Sequence, residues 1–112
     1  VIRAGADLGG TKLLLLAETA QGRVTSRLAT GPAFGPVDLE RALLGFLAGL
    51  DARPPAVGIA VPGLVDDTGA VVACDLLPRF VGWRPPPGLF AVTINDADAA
   101  LLAEARNHPA AT

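Results

Sequence analysis

An acid closes one apolar run, two glycines and a threonine turn the chain, and a lysine opens the next apolar run: Asp7-Leu8-Gly9-Gly10-Thr11-Lys12. Successive backbone N–H groups in such a turn form a concavity that binds an anion. Glycine permits positive φ there and removes the Cβ that would keep a phosphate away from the backbone. Thr11 adds a hydroxyl, Lys12 a cation, and Asp7 could hold Mg²⁺ through water. The pattern points to nucleotide phosphate chemistry. It is not a Walker A loop, because G-x-x-x-x-G-K-[ST] is absent. It is not a Rossmann fingerprint, because G-x-G-x-x-G is absent and a strand, not a helix, follows the turn. The alternative is a plain tight hairpin in which Asp7 bonds the turn amides.

Two further clusters fall at expected strand ends. Asn95-Asp96 joins a buried strand to a helix, and the carboxyl ends of strands are where open α/β sheets place their ligands. An Asp there could accept a proton from a substrate hydroxyl. The helix N-terminus stabilises its carboxylate and weakens it as a base. Phosphoryl transfer tolerates that, since the transition state is loose and the base mainly orients the attacking hydroxyl. The alternative is helix capping, with Asp98 a dipole partner rather than a ligand. Pro62-Gly63 ends another buried strand and could bring backbone close to a ligand, while Asp75 opens a polar loop and could accept hydrogen bonds from sugar hydroxyls. Ordinary turn chemistry explains both equally. Trp83 reads as a loop anchor, Cys74 as an inert packed residue and His108 as exposed.

The elements that must position these groups follow from hydrophobic pattern and turn residues. Strands are expected over 3–8, 12–18 and 23–30, the last from the alternation of Val24 and Leu28 with Thr25 and Arg27. Three strands joined by short turns imply an antiparallel meander. After the loop Gly31-Pro32-Ala33-Phe34-Gly35-Pro36, Asp38 is the expected N-cap of a helix. Leu39, Leu43, Phe46, Leu47 and Leu50 line one face of that helix. Residues 56–61 are apolar without alternation, as expected of a strand buried on both faces. Asp67-Thr68-Gly69 signals a hairpin within 65–74, residues 75–88 a surface loop, 90–94 a last buried strand, and about 97–106 a closing helix. The expectation is an α/β fold: a meander followed by strand–helix units in one mixed sheet.

Composition narrows the function. At 112 residues the chain is one domain with room for a core. A net charge of -2 without a basic cluster argues against a nucleic-acid footprint. The longest aliphatic run is far short of a membrane span, and the N-terminus lacks a signal peptide's basic flank and long apolar stretch. One Cys and one His allow neither a disulfide nor a Cys/His metal cage, and a reducing cytoplasm is expected.

Taken in order, the three clusters resemble the N-terminal lobe of the ROK family, which groups bacterial glucokinase-like sugar kinases with sugar-responsive repressors. The matching segments are Gly5-Ala6-Asp7-Leu8-Gly9-Gly10-Thr11-Lys12, Val57-Gly58-Ile59-Ala60-Val61-Pro62-Gly63-Leu64-Val65-Asp66, and Asn95-Asp96-Ala97-Asp98-Ala99-Ala100 with Ala103-Glu104 behind. The resemblance implies a ribonuclease-H-like lobe of the actin/hexokinase ATPase type. It implies ATP and Mg²⁺ as cofactors and a hexose or related sugar as substrate. Gly9, Gly10, Thr11 and Lys12 would form the first phosphate loop, with Asp7 near Mg²⁺. Asp96 would be the catalytic base, and Asn95, Asp96, Gly63 and Asp75 would line the sugar.

The sequence also departs from the family pattern. Asp75 and Asp98 stand where the family usually has Asn, and residues 77–81 make a longer approach to Gly82-Trp83. An Asp only accepts, so its sugar hydroxyls must donate, which puts the family's sugar preference in doubt. The family's second lobe supplies the adenosine site, a second phosphate loop and a Cys/His zinc motif, and none is in this sequence. The expectation is one lobe of a larger sugar kinase, inactive by itself and oligomeric, if at all, through the other lobe. The rival is a sugar-sensing regulator of the same family. Such proteins carry a helix-turn-helix before the first strand, where Val1-Ile2 stand here.

Overall fold

A computed structural model describes residues 3–54, 56–89 and 91–95. The expected closing helix, and with it Asp96, Asp98 and His108, lies outside the described residues, as does Phe90. Strands β1 (Arg3–Leu8), β2 (Lys12–Thr19) and β3 (Gly22–Ala29) form the antiparallel meander. Helix α1 (Pro36–Ala48) follows, then β4 (Val57–Val61), the small hairpin β5 (Leu64–Val65) and β6 (Val71–Ala73), and β7 (Ala91–Asn95). The main sheet runs β3-β2-β1-β4-β7, with β4 parallel to both β1 and β7. It is the mixed α/β sheet the pattern implied.

The described core lies on one face of this sheet. Ala6, Leu8, Leu13, Leu15, Val57, Ile59 and Val61 point to it and meet Leu39, Leu43 and Leu47 of α1. Each of these three leucines is buried and contributes about 1.5–3 kcal/mol. Val71, Cys74, Leu77, Phe80 and Leu89 of the hairpin and the following loop complete the cluster.

Two expectations are corrected. Asp38 is not the N-cap of α1. Gly35 is, and Asp38 sits three residues in, its carboxylate accepting the Gly35 N–H at 2.8 Å. The acid still tethers the helix start, from the other side of the capping arrangement. Strand β4 is not buried on both faces. Val57, Ile59 and Val61 are buried, but Gly58 is exposed, and among the described residues a Cβ there would meet nothing within 4 Å. Gly58 and Ala60 make the run read as uniformly apolar while giving it little side chain on that face. Strand β3 alternates in sequence but is exposed at every residue, because it is the sheet edge beyond the reach of α1. Alternation records which side chains share a face, not whether that face is covered.

Candidate functional site

Parallel register gathers the expected site residues at one edge of the sheet. Asp7 is aligned with Ala60 on β4, and Ala60 with Ile94 on β7. The next step pairs Val61, just before Pro62-Gly63, with Asn95. The carboxyl ends of β1, β4 and β7 therefore stop together. Two strand spacings, roughly 10 Å, separate the outer two. The Gly9-Gly10-Thr11 turn, the exit to Gly63 and the last residue of β7 border one cleft edge. Lys12 and Asp7 fall on the same sheet face by their two-residue alternation with Leu14, the partner of Asp7.

The first cluster does turn a tight β1–β2 hairpin, but without the bonds from the turn amides to Asp7 that the plain-hairpin alternative included. Asp7 is exposed, and among the described residues its carboxylate accepts no hydrogen bond from the turn amides. The Gly9 N–H closes the turn by donating to the Lys12 carbonyl at 2.9 Å. Thr30, at the end of β3, holds the other side. Its hydroxyl donates to the Gly9 carbonyl at 2.7 Å, and its N–H to the Thr11 carbonyl at 2.9 Å. A trans peptide points its N–H opposite to its carbonyl. Fixing the Gly9 carbonyl toward Thr30 therefore aims the Gly10 N–H the other way. Among the described residues neither the Gly10 nor the Thr11 N–H has a protein acceptor. Two free amides with Lys12 nearby, itself in no ion pair among the described residues, suit an anionic oxygen. The glycines are needed for space, not for φ: neither takes positive φ. A Cβ on Gly9 would lie 3.0 Å from the Lys12 carbonyl oxygen, and one on Gly10 3.2 Å from Leu76 Cβ.

Gly63 is a forced glycine. A Cβ there would lie 2.1 Å from the Ala73 carbonyl oxygen and 3.1 Å from the Cys74 Cα. The chain leaving β4 is thereby pressed against β6, and this close approach delivers Asp75 to the same edge. Asp75 is exposed, and its neighbour Leu76 lies over Gly10. Trp83 anchors the far end of this loop. Its indole N–H donates to the Glu40 carboxylate of α1 at 2.9 Å, and its ring meets Phe80 edge-on at 5.5 Å. The Val71 N–H donates to the Trp83 carbonyl and the Gly82 N–H to the Val71 carbonyl, at 2.8 and 2.7 Å. Thr30, Leu76 and Glu40 carry no motif of their own. Their roles arise from partners distant in sequence.

No group of three or more His, Cys, Asp or Glu able to hold a metal occurs among the described residues. Asp7 is a single carboxylate facing open space. That fits Mg²⁺, which takes one or two carboxylates and completes its shell with waters and substrate phosphates. The Asp66 carboxyl is held below its usual range, chiefly by the Thr68 hydroxyl and then by the Ala70 and Thr68 N–H groups. It builds the hairpin turn that ends at Gly69, whose φ is +87°. It is a structural acid, apart from the strand-end residues.

Fold and edge together define a lobe of the ribonuclease-H-like, actin/hexokinase ATPase class. Within that class the structural neighbours are ROK-family sugar kinases, so the resemblance read from the sequence holds in three dimensions. A ROK family glucokinase from Streptomyces griseus, in complex with glucose and AMPPNP, is 30% identical with a TM-score of 0.68, the match covering 95% of this chain and 36% of that one. A ROK hexokinase from Thermus thermophilus is 25% identical with a TM-score of 0.68, covering 92% and 38%. A ROK family protein from Streptococcus pneumoniae TIGR4, in complex with sucrose, shares the fold at 23% identity and a TM-score of 0.75, covering 97% and 39%. The chain spans less than two fifths of the length of these three. No protein-family model and no curated protein sequence matches it at a significant level. Among the described residues no helix is long and apolar enough to cross a membrane.

Proposed function

We propose that this chain is the N-terminal lobe of an ATP-dependent sugar kinase that phosphorylates a hexose or related sugar in the cytoplasm, where ATP is made and used. The observation that carries the reading is the common edge formed by the ends of β1, β4 and β7, with two free amides in the Gly9-Gly10-Thr11 turn. The turn amides and Lys12 would receive phosphate oxygens. Asp7 would hold Mg²⁺ through water, and the ion would neutralise charge on the phosphates. Gly63, Asp75 and Asn95 would border the sugar.

Asp96, following Asn95 in sequence, would serve as the base. A sugar hydroxyl oxygen forms the new bond to the γ-phosphorus, the bond from that phosphorus to the β,γ-bridging oxygen breaks, ADP leaves, and the hydroxyl proton passes to Asp96. A second lobe would close over the nucleotide and exclude water. The AMPPNP and glucose held by the 30% identical glucokinase support ATP and a hexose as the ligand classes.

The test is an ATP-consumption assay with a panel of hexoses on the protein carrying both lobes. Asp96→Ala should leave sugar binding largely in place and lower turnover by about 10²–10⁴-fold. Substantial remaining turnover in that variant would remove Asp96 from the role.

A further inference from the structure

Leu76 is more than half exposed, at 57%, although Leu77 beside it is fully buried. It therefore does little for the core. Its side chain instead covers Gly10: a Cβ on that glycine would lie 3.2 Å from Leu76 Cβ and 3.3 Å from Leu76 Cδ1. The opposite side of the same turn is gripped by Thr30. The backbone of Leu76 cannot drift freely, because Leu77 and Phe80 are buried and Trp83 is bonded to Glu40. Asp75 immediately precedes it. One exposed leucine thus joins the Gly9-Gly10-Thr11 turn to the loop that carries the exposed Asp75.

We propose that Leu76 is a positioning residue that couples the two halves of the candidate site, so that filling the Gly9-Gly10-Thr11 turn with phosphate settles Asp75 for the sugar, and the reverse. The assignment of ligands rests on the kinase reading above; the mechanical coupling does not. Such coupling is reciprocal: a hexose changes ATP affinity by the same factor by which ATP changes hexose affinity. Leu76 touches neither ligand in this scheme. It acts by transmitting the position of Gly10 to Asp75.

Two measurements test this on the chain with Leu76→Ala, an exposed substitution that leaves the core intact. First, amide hydrogen exchange is read without ligand. The Gly9 N–H, which closes the turn, should exchange several-fold faster in the variant, while Gly82 and Val71, held by their own bonds, should not change. Unchanged exchange at Gly9 overturns the proposal whatever the ligands are. Second, ATP with Mg²⁺ and glucose are titrated singly and together on the protein carrying both lobes, with and without Leu76→Ala. The variant should bind each alone within about twofold of the parent chain, and the factor linking them should fall toward one. An unchanged factor overturns the proposal, as does loss of both single affinities. If the protein carrying both lobes binds neither probe, the kinase reading fails, and the exchange measurement alone decides the role of Leu76.

Discussion

Asp7 on β1 and Asn95 on β7 end two parallel strands that flank β4, with Asp7 level with Ala60 and Asn95 level with Val61, one residue further on. Eighty-seven residues of intervening chain are folded so that these two positions share an edge about 10 Å across. The predictions below test the parts that hold this edge together.

Asp7 is exposed, and its carboxylate has no protein hydrogen bond among the described residues. Asp7→Asn should therefore change stability by no more than about 0.5 kcal/mol. It should abolish most of the Mg²⁺ dependence of ATP binding. Thermal unfolding and ATP titration with and without Mg²⁺ check the two halves, and an unchanged Mg²⁺ response would take Asp7 out of the metal site.

Gly63→Ala places a methyl 2.1 Å from the Ala73 carbonyl oxygen, and backbone must move to admit it. The expected cost is about 1–3 kcal/mol or more, read as a lowered midpoint of thermal unfolding. Gly58→Ala is the control, since its Cβ would meet nothing within 4 Å among the described residues. Alanine also restricts the unfolded chain more than glycine. The control should be neutral or slightly stabilising.

Trp83 is the single tryptophan, and the chain has no tyrosine, so its fluorescence reports the loop without interference. The bond to Glu40 is charge-assisted and partly buried. Glu40→Ala should red-shift the emission and cost about 1–2 kcal/mol. Trp83→Phe should cost a similar amount, and the double variant should lose less than the sum of the two. Full additivity would mean that the bond contributes nothing.

Asp66 has its pKa lowered in the folded chain, first by the Thr68 hydroxyl and then by the Ala70 and Thr68 amides. A depressed carboxyl adds stability above its unfolded pKa of about 3.9, and that stability is lost as pH falls through the lower folded value. The parent chain should therefore be more stable than Asp66→Asn above about pH 4, with the gap between parent and variant closing on acidification. Unfolding midpoints from pH 2 to 6 for both proteins test the sign. A gap that widens toward low pH would contradict it.

Much of the fold is local and was legible. The boundaries of β1 agree to the residue, the β5–β6 hairpin forms around Asp67-Thr68-Gly69, and the apolar stripe of α1 faces the core. Each is encoded by turn residues or by a periodicity of 2 or 3.6, which a sequence displays directly. The candidate residues were legible for the same reason, since Asp7-Leu8-Gly9-Gly10-Thr11-Lys12 announces its own turn.

What lay beyond the sequence is everything decided by partners far along the chain. Asp38 reads as a cap, but whether it stands at the cap or three residues inside depends on how Gly35 enters α1 over Arg79. Val24 and Leu28 alternate correctly, yet only the place of β3 at the sheet edge leaves them exposed. Thr30 has no motif, and only the β2–β3 register carries it to the carbonyls of Gly9 and Thr11. By its residue types alone this sequence determined a phosphate-friendly turn, an acid beside it, and polar groups at two later strand ends. The tertiary structure decided that parallel pairing through β4 levels those ends, and that Thr30 and Leu76 clasp the turn from opposite sides. Periodicity and turn chemistry act over a few residues, whereas register and close approach are settled only when distant segments compete to bury the same core.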